Sequence, residues 1–189
     1  RSTVDVDTDG NGTADLLGAT LDQLALSVQA GTTVDVSGVA TLTLSGNLAL
    51  ARVTPAGGAT VRYTALKMGD VSVSTSVGNA STFGLSGTLT ISSLDYNSVA
   101  AGFDRLDWAK AFDLDGDGTS DVLDPGAILP TPVDLAIGFA SSLQYALSGS
   151  VTGLSVTAGP VTIAGNAQFA LSRSTVDVDT DGNGTADLL

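Results

Sequence analysis

An aspartate-rich loop occurs three times in this chain, and its spacing constrains the fold more than any other feature. The segment from Asp113 to Asp124 has carboxylates at loop positions 1, 3, 5, 9 and 12, with Gly118 at position 6. Alternate side chains of such a loop converge on one point, and the glycine permits the sharp turn that this requires. Aspartates at this density repel one another unless a cation lies among them. The spacing therefore predicts a calcium site.

The other two loops are close copies of this one. Residues 7–15 align with residues 113–121, but Asn11 replaces an aspartate and position 12 is Gly18, so we expect weaker binding. Residues 179–187 repeat the first loop. Carboxylate and amide oxygens are the expected ligands, and the threonine at position 7 of each loop offers a backbone carbonyl. The predicted ligands are Asp5, Asp7, Asp9, Asn11, Thr13 and Asp15, then Asp113, Asp115, Asp117, Thr119, Asp121 and Asp124, then Asp177, Asp179, Asp181, Asn183, Thr185 and Asp187.

A longer segment also recurs. Residues Arg1 to Leu17 appear again, without a change, as Arg173 to Leu189. Because identity over that length is not chance, we interpret residues 1–172 as one full repeat and residues 173–189 as the start of the next identical one. The expected partners are neighbouring repeats of the same protein, joined end to end in a filament or a long stalk.

The charge of the chain is concentrated in these loops. The net charge is -13, no glutamate is present, and 13 of the 20 aspartates lie in the three loops or directly beside them. The seven basic residues are scattered, which argues against nucleic acid as a partner. We find no transmembrane pattern and expect no membrane insertion.

The residue types that are absent exclude several kinds of chemistry. Without cysteine or histidine the chain has no disulfide, no zinc site, no thiol nucleophile and no imidazole base. Asp95, Asp104, Asp107 and Lys110 form the one acid–base group worth weighing, and we interpret it as a solvated face with Trp108 in the core. We therefore predict no catalytic residue and no enzyme activity. Calcium is the only cofactor expected, and loops of this kind suit the millimolar calcium outside cells, so we expect a secreted protein at the cell surface.

An alternation of apolar and polar residues runs through most of the chain and predicts a mainly β fold. Clear runs extend from Val34 to Leu50, Phe83 to Ile91, Val133 to Val151 and Val161 to Leu171. They exceed the usual strand length of about 5–6 residues. We therefore expect long antiparallel strands with one apolar face and one face of serine, threonine and asparagine. An elongated sandwich, a curled sheet and a closed tube all remain open.

A few segments depart from this alternation. Apolar residues at helical intervals predict one short helix near 98–112, while Pro55–Gly58 and Gly69–Asp70 are typical of turns. Pro125, Pro130 and Pro132 predict an extended linker after the second loop. Glycines on the apolar face mark places where the sheet bends or another backbone comes close. These glycines are Gly38, Gly46, Gly87, Gly149 and Gly165.

Outward-facing threonines suggest a second kind of function. Thr41, Thr43, Thr88 and Thr90 occur in pairs along two predicted strands. A flat array of threonines can match a carbohydrate or ice surface, although threonine is also common on the wet face of any sheet. A third possibility, an apolar conduit lined by the inward faces of the strands, requires a closed tube with a hollow interior.

Short motifs resemble known extracellular proteins. The Asp-x-Asp-Gly-Asp-Gly-x-x-Asp pattern at 113–121 resembles the calcium loops of thrombospondin type-3 repeats and of FG-GAP propeller blades, and Asp124 favours the former. The segments 63–67 and 106–112 and the Leu-Ser-Gly strands are similar in style to tandem β-repeats of giant secreted bacterial surface proteins. That resemblance implies an adhesin-like protein in which calcium stiffens a stalk.

Together these patterns predict a structural repeat of a large extracellular protein, such as a fibre, a sheath or an adhesin stalk. In this interpretation calcium-binding loops lie at the strand and repeat junctions and make the joints rigid. The alternative is a surface-binding adhesion module that recognises carbohydrate or ice through a Ser/Thr-rich face.

Overall fold

The described residues form one open antiparallel sheet of seven strands. The structure, a computed structural model, describes residues 1–36, 40–58, 60–79, 83–158 and 160–188. Each strand pairs with the next in the sequence, so the spatial order follows the chain from β1 to β7. The mainly β prediction is confirmed, and the described residues form a single sheet instead of a sandwich. The strands are β1 Ser2–Val6, β2 Leu16–Val36, β3 Ala40–Thr54, β4 Tyr63–Asn79, β5 Phe83–Val99, β6 Leu143–Ala158 and β7 Val161–Ser174.

The strands are long, as the alternation predicted, but several boundaries differ. β2 has 21 residues, and β4 and β5 have 17 each. The run from Val34 to Leu50 is divided between two strands, because Val36 of β2 pairs with Ala40 of β3 in an antiparallel register. Residues 37–39 of that run lie outside the described residues. The run that begins at Val133 becomes a strand only at Leu143.

The predicted helix near 98–112 is wrong. Residues 100–142, which we call the connector, are irregular apart from a 3₁₀ helix at Pro125–Ile128. Leu106 and Trp108 are both buried, a spacing of two that requires an extended backbone, whereas Phe103 is 48% exposed. Backbone bonds such as Trp108 N–H to the Phe139 carbonyl at 2.8 Å replace helical ones. The helical spacing of the apolar residues was therefore misleading.

The core lies between the connector and one end of the sheet. On the sheet side several of the buried residues are small, including Ala49, Ala51 and Ala65. These alanines leave room for the large side chains of the connector, and Trp108 packs on Phe112 with 5.8 Å between ring centroids. Trp108 is fully buried, as the sequence predicted. The other buried members of this core include Val6, Ala19, Leu21, Val53, Tyr63, Leu106, Ala111, Leu123, Leu135, Ile137 and Phe139.

One buried polar residue fastens the connector to the sheet. Asn97 of β5 is fully buried and accepts a hydrogen bond from the Trp108 indole N–H at 3.0 Å. Its amide nitrogen donates to the carbonyls of Leu106 and Ala140 at 2.9 and 3.2 Å. A buried amide is tolerated only when its polar atoms are paired in this way. Asn97 therefore fixes the connector against the sheet.

The two faces of the sheet differ in chemistry beyond the connector. The face that carries the core continues as serine and threonine, with Thr43, Ser74 and Thr88 in neighbouring register positions. The opposite face carries a row of apolar side chains that crosses six strands. We call it the leucine row, and its members are Leu26, Leu48, Met68, Leu94, Leu147 and Leu171.

Irregular positions interrupt several of the long strands, and some of them bring neighbouring backbones close together. The predicted turn at Gly69–Asp70 is wrong, because β4 continues through it; Asp70 instead has a left-handed φ of 53° where the β3–β4 register shifts. A Cβ at Gly149 would collide with the Thr90 carbonyl and lie 2.6 Å from the Phe169 ring, so close approach is confirmed there. A Cβ at Gly165 would meet open space.

The remaining glycines and turns follow the predictions in part. A Cβ at Gly46 would collide with the Val71 backbone and one at Gly87 would lie 3.2 Å from the Leu154 Cα, so both positions confirm close approach. Gly38 lies outside the described residues. The turn at Pro55–Gly58 is confirmed by a hydrogen bond from the Gly58 N–H to the Pro55 carbonyl at 3.0 Å.

Candidate metal centres

All three aspartate loops share one hydrogen-bonded frame. In each, the N–H of the ninth residue donates to the carbonyl of the residue just before the loop. The distances are 2.9 Å from Asp15 to Val6, 2.6 Å from Asp121 to Phe112 and 2.8 Å from Asp187 to Val178. This bond closes the base of each loop. The loops therefore project from paired backbone segments and do not depend on a helix for support.

The first aspartate of each loop organises the turn. Asp7 Oδ1 accepts from the Gly10 N–H at 2.8 Å, and its Oδ2 accepts from the Gly12 N–H at 2.7 Å. Asp113 and Asp179 make the equivalent pairs of bonds in their loops. The glycines concerned have positive φ, for example 75° at Gly10 and 87° at Gly12, a conformation that costs glycine little. This explains why the Asp-Gly spacing recurs.

The frame brings carboxylates together in every loop. In each group, one ligand atom per residue lies within 4.8 Å of the others. Two oxygens that share a calcium ion at about 2.4 Å cannot be further apart than about 4.8 Å, so this spacing fits one ion. The donors are all oxygens, the ligand type that calcium prefers. The groups are Asp7, Asp9 and Asp15, then Asp113, Asp115 and Asp117, then Asp179, Asp181 and Asp187.

Hydrogen bonds hold several of these carboxylates in the charged form. The Thr8 hydroxyl and N–H lower the pKa of Asp15, and the Thr180 hydroxyl and N–H lower the pKa of Asp187. Thr119 lowers the pKa of Asp117 in the same way. The Gly184 N–H is the main cause of the lowered pKa of Asp179. Charged carboxylates are what a cation site requires.

The lowered pKa of Asp7 is the net result of two opposing effects. Its partial burial alone would raise the pKa, but hydrogen bonds from Gly12, Gly10, Asp9 and Asn11 together outweigh this effect. Asp7 is therefore also held as a carboxylate.

The structure places Asp121 and three further predicted aspartate ligands outside the clustered groups. Asp5 accepts a hydrogen bond from the Gly18 N–H at 2.7 Å, beyond the closed end of its loop. Asp124 accepts from the N–H groups of Gly126 and Leu135 at 3.0 and 3.1 Å and caps the 3₁₀ helix. Asp177 lines a shallow cleft with Arg105 and Thr175. Asp124 Oδ1 is thus occupied by backbone N–H groups of the segment that follows the second loop.

The remaining predicted ligands lie in the loops. Asn11 and Asn183 each donate a side-chain hydrogen bond to the preceding aspartate at 2.9 Å. Their Oδ1 atoms accept from the N–H groups of Thr13 and Thr185 at 2.8 Å. In the second loop Asp121 accepts from the Leu114 N–H at 2.7 Å, as Asp15 and Asp187 do in theirs. The Thr119 hydroxyl donates to Asp117 at 2.6 Å.

The first and second loops are neighbours in space. The Asp7 N–H donates to the Ala111 carbonyl at 3.0 Å, and the Ser120 hydroxyl donates to the Lys110 carbonyl at 3.1 Å. Residues of both loops and Lys110 line one cleft of about 320 Å³. The sequence did not predict this proximity, because the two loops are about a hundred residues apart and only the connector brings them together. The third loop has no such neighbour among the described residues.

The acid–base group considered from the sequence is dispersed. Asp95 forms an ion pair with Lys67 at 3.3 Å, and Asp107 accepts from the Ala109 N–H at 3.1 Å. Lys110 lies beside the first loop, where a Cβ on Gly10 would lie 3.3 Å from its Cδ. The two ion pairs found among the described residues, Arg1–Asp22 and Lys67–Asp95, leave the loop aspartates without a basic partner.

Comparison with protein-family models, with curated proteins and with solved structures gave no match. In the described part of the chain, no helix has both the length and the apolar character needed to span a membrane.

Proposed function

We propose that this chain is a structural repeat of a large extracellular protein, and that its aspartate loops bind calcium to stiffen the joints between β units. The observation that carries the proposal is the shared loop frame. Three loops place carboxylates within 4.8 Å of one another, and the described ion pairs leave them without a cationic partner. Such groups repel one another unless a cation is present.

The loops occupy mechanically important positions. The first loop joins β1 to β2, and the second interrupts the connector between Phe112 and Leu123, both of which are buried. Asp7, Asp9 and Asp15 would hold one ion, and Asp113, Asp115 and Asp117 another. When bound, the ion supplies the positive charge that offsets carboxylate repulsion. The Asp7–Ala111 backbone bond then couples the two loops, so that ordering one restrains the other.

The extracellular setting and the tandem arrangement belong to the same proposal. Calcium loops of modest affinity, with dissociation constants of about 10⁻⁴ M or weaker, are occupied in the millimolar calcium outside cells. Identical segments 172 residues apart support a tandem array in which the neighbouring repeats are the partners. A fibre, a sheath and an adhesin stalk all need stiffness and none needs catalytic residues.

Calorimetric titration with calcium tests the binding step. We expect three sites on the chain, the second loop being the tightest because it has the most carboxylates. Asp115→Asn should weaken that site at least about tenfold by removing one charged ligand. Asp104→Asn, an equal change of charge outside the loops, is the matched control and should leave the titration unchanged. Titrations without heat or saturation in millimolar calcium would contradict the proposal.

Small-angle scattering from a chain of several repeats tests the mechanical step. With calcium the joints are rigid, so the maximum dimension should be larger than in EDTA. Equal dimensions in both conditions, with calcium binding established by calorimetry, would show that the ions bind without stiffening the joints.

A second candidate function is recognition of a carbohydrate or ice surface by the hydroxyl-rich face. It is favoured by a regular register in which Thr43, Ser74 and Thr88 lie side by side, with the Ser74 and Thr88 hydroxyls 2.8 Å apart. Replacing Thr41, Thr43, Thr88 and Thr90 with tyrosine should abolish binding to cellulose, chitin or ice if this face is a binding surface. A purely structural repeat would keep its calcium response and show no binding before or after the change.

A further inference from the structure

Both edges of the sheet carry unpaired strand. β1 covers only the first part of β2, from Leu16 to Leu21. Beyond Leu21 no described strand pairs with that side of β2, which continues to Val36. β7 is the other edge and, among the strands that the structure describes, pairs only with β6. Long open edges expose backbone hydrogen-bond donors and acceptors that can pair with another strand.

We infer that β7 pairs edge to edge with β2 of the following copy of the repeat, so that one sheet runs through the joint. This rests on the tandem arrangement in the proposed function and specifies the interface between its units. The occupant of each edge is a second copy of this chain.

The identical segments determine the register of this pairing. Ser2, Thr3 and Val4 of β1 pair with Leu21, Thr20 and Ala19. Ser174, Thr175 and Val176 are the same residues one period later, and Ser174 ends β7. β1 is therefore the continuation of the preceding copy's β7. When this antiparallel register is continued toward the N-terminal end of β7, Arg173 lies opposite Asp22 of the next copy and Ser172 lies opposite Gln23.

The side chains that this register brings together are matched. Apolar residues on the leucine-row face meet apolar residues, and on the other face small or polar residues meet their like. Leu24, Leu26 and Leu171 are 54%, 51% and 57% exposed in the single chain, and each gains an apolar neighbour. The regular part of β2 ends after Val28, where its register with β3 shifts. The pairs are Gln23–Ser172, Leu24–Leu171, Ala25–Ala170, Leu26–Phe169, Ser27–Gln168 and Val28–Ala167.

Charge and backbone bonds agree with the same joint. Arg1 Nε lies 3.6 Å from Asp22 Oδ1, and Arg173 would take this place beside the next copy's Asp22. On its other side the segment is already anchored, because the Thr175 N–H donates to the Ser142 carbonyl at 2.8 Å and the Arg105 guanidinium donates to the Thr175 hydroxyl. Residues 173–175 are thus held by one repeat and positioned to pair with the next.

The geometry of the array follows from this interface. A contact between different edges of identical units is heterologous and leaves one edge free at each end, so every further repeat extends the sheet unless the rotation between repeats closes it into a ring. Each repeat adds the six strands from β2 to β7, which at about 4.8 Å per strand lengthens the sheet by about 29 Å. The strands then lie across the long axis of the filament.

Disulfide trapping tests the register. The chain has no cysteine, so an introduced pair has no native competitor. We use the full chain extended past Leu189 by a second copy of residues 18–172. The test pair is Ser172→Cys in the first copy with Gln23→Cys in the second, and the control pair is Ala170→Cys with the same Gln23→Cys. The test pair should form a disulfide at least about tenfold faster than the control pair. The reason is that the control cysteines are displaced by two residues, to a separation of about 7–8 Å, which is beyond the usual disulfide span.

Two results would overturn the inference: equal rates for both pairs, or no disulfide in chains that keep the unfolding midpoint of the parent. Scattering from chains of increasing length needs no substitution and is the second measurement. It should show an increase of about 29 Å per added repeat, whereas stacking along the strand axis would add about 60 Å, the length of a strand of about 18 residues.

Repeating the trapping in EDTA separates this inference from the proposed function. If the disulfide forms in the predicted register but no calcium binds, the inferred pairing of β7 with β2 is supported and the calcium mechanism is rejected. If calcium binds but the disulfide does not form in the predicted register, the calcium mechanism is supported and the inferred pairing is rejected.

Discussion

Residues 1–17 and 173–189 have the same sequence in two different surroundings. Val6 is fully buried under the connector, whereas Val178, its counterpart, is 39% exposed. Leu16 packs against the core, while Leu188 is 60% exposed. The loops between these residues are nevertheless alike. The bond from Gly12 N to Asp7 Oδ2 is 2.7 Å, and the equivalent bond from Gly184 to Asp179 is 2.6 Å.

The comparison separates what is local from what is not. The loop conformation is encoded within nine residues, because its hydrogen bonds run between its own carboxylates and N–H groups. The burial of the flanking strand depends on β2 and the connector, which the second copy lacks within this chain. The loops are therefore autonomous units, and their contribution to overall stability depends on what they are attached to.

The largest effect should come from removing the connector's main anchor. Trp108→Ala should reduce the free energy of unfolding by about 4 kcal/mol, because the buried indole leaves a cavity and Asn97 loses its donor. Phe103→Ala, in the same connector but 48% exposed, should cost less than about 1 kcal/mol. Urea unfolding monitored by circular dichroism measures both. Similar losses of unfolding free energy in the two variants would show that the connector does not hold residues 1–17 in place.

Calcium-dependent stability should distinguish the two identical loops. At a hundredfold excess of calcium over the dissociation constant, an ion bound only to the folded state adds about 2.7 kcal/mol. Asp7→Asn should remove much of this gain, since that loop is coupled to the core through Ala111. Asp179→Asn should weaken calcium binding equally and leave global unfolding almost unchanged. Equal losses of stability would refute the coupling.

Burial of the flanking strand predicts a similar contrast of smaller size. Val6→Ala should reduce the free energy of unfolding by about 2 kcal/mol, since it removes fully buried methyl groups. Val178→Ala should change it by less than about 0.5 kcal/mol. Chemical denaturation of the two variants side by side is the measurement, and each serves as the control for the other.

Acid should have the smallest and most local effect. A carboxylate with a pKa below its ordinary value of 3.8 stabilises the folded state above that value, and the stabilisation is lost as the pH falls through the lowered pKa. Asp15→Asn should therefore flatten the decline in stability below about pH 4. Asp187→Asn removes a carboxylate whose pKa is also lowered by a threonine, but in the exposed copy, and should leave the global profile unchanged. Melting temperatures between about pH 2 and pH 6 would show whether the two variants differ.

The sequence predicted what depends on short-range patterns. The aspartate and glycine spacing determines the loop, and the two-residue alternation identified the long strands. It failed where tertiary contacts decide the conformation. Leu106 and Trp108 are both directed at the sheet by an extended backbone, so the apolar spacing that favoured a helix was coincidental. Gly69–Asp70 looked like a turn because a bulge uses the same residue types.

Long-range positions were also beyond sequence reasoning. No pattern near Asn97 indicates that it meets the indole of Trp108, since the residue's neighbours are those of an ordinary strand. The proximity of the first two loops depends on the path of the connector. The sequence also did not predict that the Asp124 carboxylate caps a 3₁₀ helix. In the first two cases the interacting residues lie far apart in the sequence. In the case of Asp124, nearby backbone N–H groups bind the oxygen atom that a cation would also use.

Thermal unfolding of the intact chain in millimolar calcium and in EDTA is the most direct test of the central claim, that the aspartate loops hold calcium and stabilise the fold. With about 2–4 °C per kcal/mol for a chain of this size, an occupied site coupled to the core should raise the midpoint by about 5–10 °C. Magnesium at the same concentration should have a smaller effect, because it loses its waters reluctantly. An unchanged midpoint in calcium would contradict the account.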